Sequence, residues 1–219
     1  MLPNQYEIID IMNQINIKCA FCENQSLDLV MDFGKNALAG GFLSKDQFSS
    51  EKFYPMRLCF CSNCFAVQII DQIEPDELFT DYFYFSSSIG TLSSHFQQHA
   101  KEMVARFLPN PSQSSVLEFG CNDGVLLKPL AKENIGTVIG IDPATNVINS
   151  IKEEGVITIN DFLNTESAKK IINQFGKMNL IFANNVYAHI SDMQNITQAI
   201  KDLLSSEGVF IFEVHYLDK

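Results

Sequence analysis

Val116-Leu-Glu-Phe-Gly-Cys-Asn-Asp-Gly124, followed by Val125-Leu-Leu-Lys128, decides how this chain is read. A short apolar strand runs into an acid, then a turn with glycines at 120 and 124, then the start of a helix. Glycine lets a backbone turn tightly and approach a ligand closely. A helix start offers free N–H groups at the same place. α/β proteins hold nucleotide-like ligands in this way, at the carboxyl end of the first strand. The spacing is E-x-G-x-x-x-G, not the G-x-G-x-x-G of dinucleotide binders. A strand–turn–helix with two glycines is also a common element of α/β folds, so its meaning depends on the rest of the chain.

Downstream, apolar strands alternate with helical patterns. The expected strands are 116–119, 137–141, 156–159, 179–183 and 209–214, with helices near 124–133, 145–154, 166–175 and 192–206. Thr165 and Gly176 punctuate the third helix. Ser191 with Gln194 reads as a capping-box start for the fourth, and Gly208 as its end. Near-continuous apolar strands in βα units predict a parallel sheet covered on both faces. Ligands bind outside the carboxyl ends of such strands, which selects Glu118 to Gly124, Asp142, Asn160-Asp161-Phe162, Asn184-Asn185 and Glu213 to His215. Asp142, ending the second strand, is placed to accept the hydroxyls of a ribose, although an acid there also serves as a helix cap. Phe162 could edge an adenine or pack in the core. His189 follows the fourth strand on the ligand side, where a histidine is either structural or functional.

Upstream, Cys19-Ala-Phe-Cys22 and Cys61-Ser-Asn-Cys64 are two C-x-x-C knuckles. Together they supply four thiolates, the tetrahedral set of a closed structural zinc site. A redox dithiol or unrelated cysteines are the alternatives; two knuckles favour zinc. Cys59 is expected to be a buried strand residue. Phe33 to Phe42 reads as a glycine-rich loop and 57–70 as β-rich. Residues 79–91, Phe-Thr-Asp-Tyr-Phe-Tyr-Phe-Ser-Ser-Ser-Ile-Gly-Thr, place aromatics beside serines. Such a cluster is either a hydrophobic plug or a substrate wall. A helix capped at Ser93 or Ser94 is expected to run to about Leu108. It carries His95 and His99 at i, i+4 as partly exposed residues, without the H-E-x-x-H of a metal site. Pro109 to Ser115 reads as a linker. The resulting domains are 1–78, 79–112 and 113–219.

Hydrophobic residues make up 46% of the 219 and charged residues 19%, enough for a packed core. Fifteen Lys and Arg face 26 Asp and Glu, giving a net charge of −11. That balance argues against nucleic acid or an anionic membrane as partner. No apolar run approaches a membrane span, and the N-terminus lacks the pattern of a signal peptide. A cytoplasmic protein with a small-molecule substrate is expected, its cysteines reduced or metal-bound.

The joint pattern resembles a known family. Motif I of class I S-adenosylmethionine (SAM)-dependent methyltransferases has the spacing of Glu118 to Gly124. The cysteine knuckles with Phe65-Ala-Val-Gln68, Tyr82-Phe-Tyr-Phe-Ser-Ser-Ser88, Gly140-Ile-Asp-Pro-Ala144, Ala183-Asn-Asn-Val-Tyr-Ala-His-Ile-Ser-Asp192 and Phe212-Glu-Val-His-Tyr216 look like the zinc-containing C-methyltransferases of nucleotide-linked keto-deoxysugars. The resemblance implies a Rossmann-like class I methyltransferase sheet preceded by a small β-rich zinc-binding domain. It implies SAM as methyl donor and an acceptor carbon beside a sugar ketone. The donor would lie against Glu118, Gly120, Asn122, Gly124, Asp142, Pro143, Asp161, Phe162, Asn184 and Asn185. His189, Tyr84 and Tyr82 would lie at the acceptor, and Cys19, Cys22, Cys61 and Cys64 would hold structural zinc.

Members of that family continue beyond a fifth strand with a Tyr-x-Glu-His segment that supplies a general base. Strand 209–214 would also leave an apolar sheet edge uncovered. The expectation is therefore a sheet incomplete at its C-terminal end, and a chain that binds SAM weakly and does not turn over alone. Two other functions fit parts of the pattern: an O- or N-methyltransferase of a small molecule, and a non-catalytic zinc and nucleotide-binding module.

Overall fold

The computed structural model describes residues 17–39, 43–79 and 84–215. The chain divides between Ile73 and Glu74 into two units. In the first, β1 (Leu27–Ala37), β2 (Phe53–Cys61) and β3 (Val67–Ile69) form an antiparallel sheet in that order. Arg57 on β2 forks onto Asp71, with its closest contact at 2.5 Å, and its own N–H donates to the same carboxylate. Phe33 to Ala37, expected as loop, continue β1. Gly34, at φ +73°, sits where the pairing slips between Asp32 and Lys35, a bulge that a left-handed glycine accommodates. Residues 40–42 lie outside the described residues. Among the described residues of this unit only Cys19, Cys59 and Cys61 are buried.

The second unit begins with α1 (Pro75–Phe79) and α2 (Gly90–Phe107). It continues as β4 (Ser115–Phe119), α3 (Leu127–Ala131), β5 (Thr137–Ile141), α4 (Thr145–Ile148), β6 (Val156–Ile159), α5 (Thr165–Phe175), β7 (Met178–Asn184), α6 (Met193–Leu203) and β8 (Leu204–Glu213). The five strands pair in parallel in the order β6-β5-β4-β7-β8. This is a Rossmann-like α/β sheet. Its apolar strands are buried because helices cover them: Val116, Leu117, Leu180 and Phe182 have almost no exposure. Phe96, Ala100 and Val104 of α2 pack into the same core. The chain steps outward from β4 through β5 to β6, then crosses back to β7. Strand order therefore reverses between β4 and β7, where open α/β sheets form their ligand crevice.

Boundaries differ from the sequence expectation in instructive ways. The helix after β4 begins at Leu127 and has only five residues, and the one after β5 only four. Helix α2 starts at Gly90, with Ile89 at its N-cap and no side-chain cap. Helix α5 starts at Thr165 and is ended by Gly176 as expected, with Asn164 as its cap, accepting from the N–H groups of Glu166 and Ser167. Asp192, not Ser191, caps α6. Gly208 ends no helix: α6 stops at Leu203 and β8 begins at Leu204. Residues 109–115 connect α2 to β4 and are mostly exposed, but the segment is tied down at two points. Ser114 is buried, and Pro111 and Ser114 accept from the N–H groups of Gly136 and Thr137. Among the described residues no helix is long and apolar enough to cross a membrane.

Candidate active site and metal centre

In the first unit, Cys19 and Cys22 sit on a turn closed by the Cys19 N–H on the Asn24 carbonyl, and Cys61 and Cys64 on the turn leaving β2. Their four sulfurs lie within 4.8 Å of one another. Cys19 and Cys64 are 3.6 Å apart and Cys22 and Cys61 3.7 Å. A tetrahedron with Zn–S bonds of about 2.3 Å has an edge of roughly 3.8 Å, so the cage fits zinc. Two residues that sequence reasoning did not assign support the sulfurs. Gln68 donates to Cys19 Sγ at 3.1 Å and accepts from the Ala20 N–H at 2.9 Å; Asn63 donates to Cys22 Sγ at 3.4 Å. Burial would raise the Cys19 thiol, but the N–H of Cys22 and the Gln68 amide hold it at about 6. The Asn63 amide lowers Cys22. Such donors stabilise thiolates, the form that binds metal. Cys59 is buried on β2, outside the cluster. His95 and His99 join no metal cluster among the described residues.

In the second unit, a cavity of about 360 Å³ opens at the carboxyl ends of β4, β5 and β7. The turn after β4 makes it possible. Gly120, Asn122 and Gly124 all have positive φ, at 61°, 49° and 76°. A Cβ on Gly120 would sit inside the Val186 side chain, at a φ that L-residues rarely adopt. Gly120→Ala is expected to destabilise this unit by about 1–3 kcal/mol in urea unfolding; an unchanged midpoint would show that Val186 yields freely.

Glu118, Gly120 and Asn122 line the cavity from β4 and its turn, and Asp142, Pro143, Asp161 and Phe162 from the ends of β5 and β6. Asn184, Asn185 and His189 line it from β7 and the loop that follows, and Tyr84 from the segment before α2. Gly124 is buried against Ile151 and does not line it. Tyr82 lies outside the described residues. Leu92 and Phe96 of α2, not singled out in the sequence, add an apolar wall; they share one helix face, a signal equally consistent with core packing.

The polar groups of the cavity are held by specific partners. Asp142 is 7% exposed and accepts the Asn122 N–H at 2.8 Å through one oxygen and the Ala144 N–H at 2.9 Å through the other. Burial still raises its carboxyl. Asn160 clamps the next turn by donating to the carbonyls of Asp142 and Pro143. Glu118, 3% exposed, accepts from the Asn184 amide at 2.9 Å. Its second oxygen and the Asn184 carbonyl oxygen are buried with no hydrogen-bond partner. Asn185 donates to Glu213, which also contacts His95 at 2.8 Å. Three carboxylates line the cavity, those of Glu118, Asp142 and Asp161, and among the described residues no lysine or arginine does. Buried polar atoms without partners, and acidic side chains with no lysine or arginine among them, suit a ligand that brings N–H or O–H donors and a positive charge, which would favour the ionised carboxylates. SAM, with an ammonium, a ribose and a sulfonium, fits that description.

Comparison with known proteins gives two family matches. A zinc binding domain matches residues 19–79 and a methyltransferase domain residues 92–218. The C-methyltransferase NovU of Streptomyces niveus is 31% identical over 209 residues, covering 95% of this chain and 49% of NovU. The chain thus spans about half the length of this relative. Among solved structures, the plantazolicin methyltransferase BpumL in complex with a triazolic desmethylPZN analog and SAH is 14% identical at TM-score 0.46, covering 58% of this chain and 48% of that one. The magnesium protoporphyrin IX methyltransferase ChlM of Synechocystis PCC 6803 with bound SAH is 20% identical at TM-score 0.38, covering 49% and 51%.

Proposed function

The chain belongs to the methyltransferase domain family, and from that premise we propose that it binds SAM over the turn Glu118–Gly124 and serves methyl transfer to carbon. The acceptor in this reading is a carbon beside the ketone of a nucleotide-linked deoxysugar. The observation that carries the donor assignment is the cavity at the β4/β7 switch point, lined by three acidic side chains and, among the described residues, by no lysine or arginine, with buried polar atoms of Glu118 and Asn184 left unpartnered. The C-methyltransferase name of the Streptomyces relative supports carbon as the acceptor, and the motifs from Tyr82 to Tyr216 support the sugar.

SAM, when bound, supplies an electrophilic methyl on a positively charged sulfur. Glu118, Asp142 and Asp161 favour that charge over a neutral ligand. Asp142 would accept the ribose hydroxyls and Phe162 would edge the adenine; both line the cavity. The acceptor carbon would give up a proton to a base before accepting the methyl that bound SAM would supply, with SAH as the thioether left behind. Proton abstraction of this kind contributes about 10²–10⁴-fold, and alignment of the two reactants adds to it. His189 and Tyr84, both at the cavity, are assigned to the acceptor side. Zinc in the cysteine cage is structural, since four protein ligands leave no open position.

Calorimetry of the zinc-loaded chain with SAH tests the donor assignment. One site per chain is expected, and Asp142→Asn is expected to weaken it about tenfold or more by removing charge-assisted acceptors. No heat of binding at high protein concentration would overturn it. ¹³C-methyl SAM with nucleotide-linked keto-deoxysugars tests the acceptor: any methylated product is expected to give a C–CH₃ signal, and an O–CH₃ or N–CH₃ signal would refute carbon transfer.

A further inference from the structure

The glycine turn carries two polar side chains that hold another segment. Asn122 accepts from the Ser86 N–H at 2.9 Å and donates to the Tyr84 carbonyl at 2.9 Å. Both ends of its amide are therefore engaged. Asp123, only 3% exposed, accepts from the Ser87 N–H at 3.2 and 3.3 Å and from the Ser87 hydroxyl. Residues 86–88 form one tight helical turn that leads through Ile89 into α2. Tyr84, Ser86, Leu92 and Phe96 of this stretch line the cavity. One wall of the cavity is thus fastened by side chains to the turn that forms its floor.

Hydrogen bonds to a carboxylate are roughly twice as strong as neutral ones, and a carboxylate as buried as Asp123 is costly when its donors leave. The fastening is also rigidly placed. Asn122 adopts φ +49° and gives its own N–H to Asp142, so the residue that grips the wall is bonded to a carboxylate of the donor site. We propose that Asn122 and Asp123 are positioning residues that mount the acceptor-side wall, Tyr84 to Ser88, on the donor turn, so that occupation of the turn by the donor orders the wall. The proposal rests on the donor reading given above. A ligand lying on residues 120–122 restrains the groups that hold Tyr84 and Ser86. By linkage, release of the wall weakens the ligand by the same factor. Neither residue is assigned to the reacting atoms; Asn122 acts through Tyr84 and Ser86, and Asp123 through Ser87.

Residue-resolved amide exchange of the 219-residue chain, with and without saturating SAH, reads this directly. In the unsubstituted chain the Ser86 and Ser87 amides are protected, and SAH slows them further. Asp123→Ala is expected to speed Ser87 exchange about tenfold and to abolish the added protection by SAH, while Val116 and Ile139 in the sheet keep theirs. Asp123→Asn, which retains an acceptor, is expected to restore part of it, which a general loss of stability would not. Should Asp123→Ala fail to fold, Ser87→Ala gives the same readout from the other partner. SAH that binds by calorimetry yet leaves Ser86 and Ser87 exchange unchanged overturns the coupling alone. Absence of SAH binding overturns the donor reading and the coupling with it.

Discussion

Replacing Cys61 with serine is expected to abolish the fold of residues 17–73, with loss of bound zinc. The described residues of this unit bury three side chains, all cysteines, while Val30, Met31, Phe33, Phe48, Phe53 and Phe65 are each about half exposed or more. A three-stranded sheet without an apolar core cannot offset the conformational entropy of its residues. The Arg57–Asp71 fork, largely buried, contributes little by comparison, because the cost of desolvating the two charges offsets most of their attraction. The metal must supply the difference, and structural zinc sites contribute on the order of 10 kcal/mol at neutral pH. Elemental analysis of the unsubstituted chain should give one zinc, and the C61S chain markedly less. Amide signals of 27–69 should collapse to the unfolded range in C61S or after exhaustive chelation, while those of β4, β5 and β7 stay dispersed. Dispersed signals from β1 and β2 in the metal-free chain would show that the sheet stands without the cage.

The second large effect concerns pH. Burial raises the Glu118 carboxyl to about 8, and the neighbouring Asp142 and Asp123 add to the rise, against the Asn184 amide. The folded-state value exceeds the unfolded one of about 4.3. The folded chain therefore holds this proton more tightly. The associated stability is complete below the unfolded value and is lost as pH rises through about 8. A displacement of this size corresponds to something on the order of 4–5 kcal/mol. Urea unfolding, followed through the amide signals of β4 and β5 between pH 5 and 8.5, should show the unsubstituted chain weakening as pH rises. Glu118→Gln should lose most of that slope, keeping only what Asp142, also raised, contributes. Parallel profiles for the two chains would mean that Glu118 is ionised and solvated in the folded state. A positively charged ligand in the cavity favours the ionised form, so SAM should move the transition to lower pH.

Much of this architecture is legible without coordinates, and the reasons are physical. Strands β4, β5 and β7 are buried on both faces, so they read as apolar runs with no alternation to misjudge. The carboxyl-end rule then brings Glu118, Asp142, Asp161, Asn184 and His189 to one cavity. Punctuation is less dependable. Leu204-Ser-Ser-Glu-Gly208 has the composition of a helix end, yet the chain enters β8 at Leu204 and absorbs the misfit as a slip opposite Met178 and Leu180. Gly34 suggests a loop, but a bulge uses the same left-handed conformation inside a strand. Least visible are pairings between distant segments. Nothing periodic links Ser87 to Asp123, or Gln68 to Cys19; each depends on two turns meeting in three dimensions.

Asp142 has a further consequence for recognition. Two backbone N–H groups hold its carboxylate, one on each oxygen, so its rotamer is settled when the chain folds. A free aspartate would surrender that freedom on meeting a ligand, and affinity would fall accordingly. Here the ordering entropy belongs to folding, and the carboxylate that lines the cavity is already fixed in place. If Asp142 accepts the ribose hydroxyls as proposed, selectivity for two adjacent hydroxyls would come from geometry fixed in advance, and a deoxyribose analogue is expected to be discriminated through enthalpy rather than through a change in the protein's mobility.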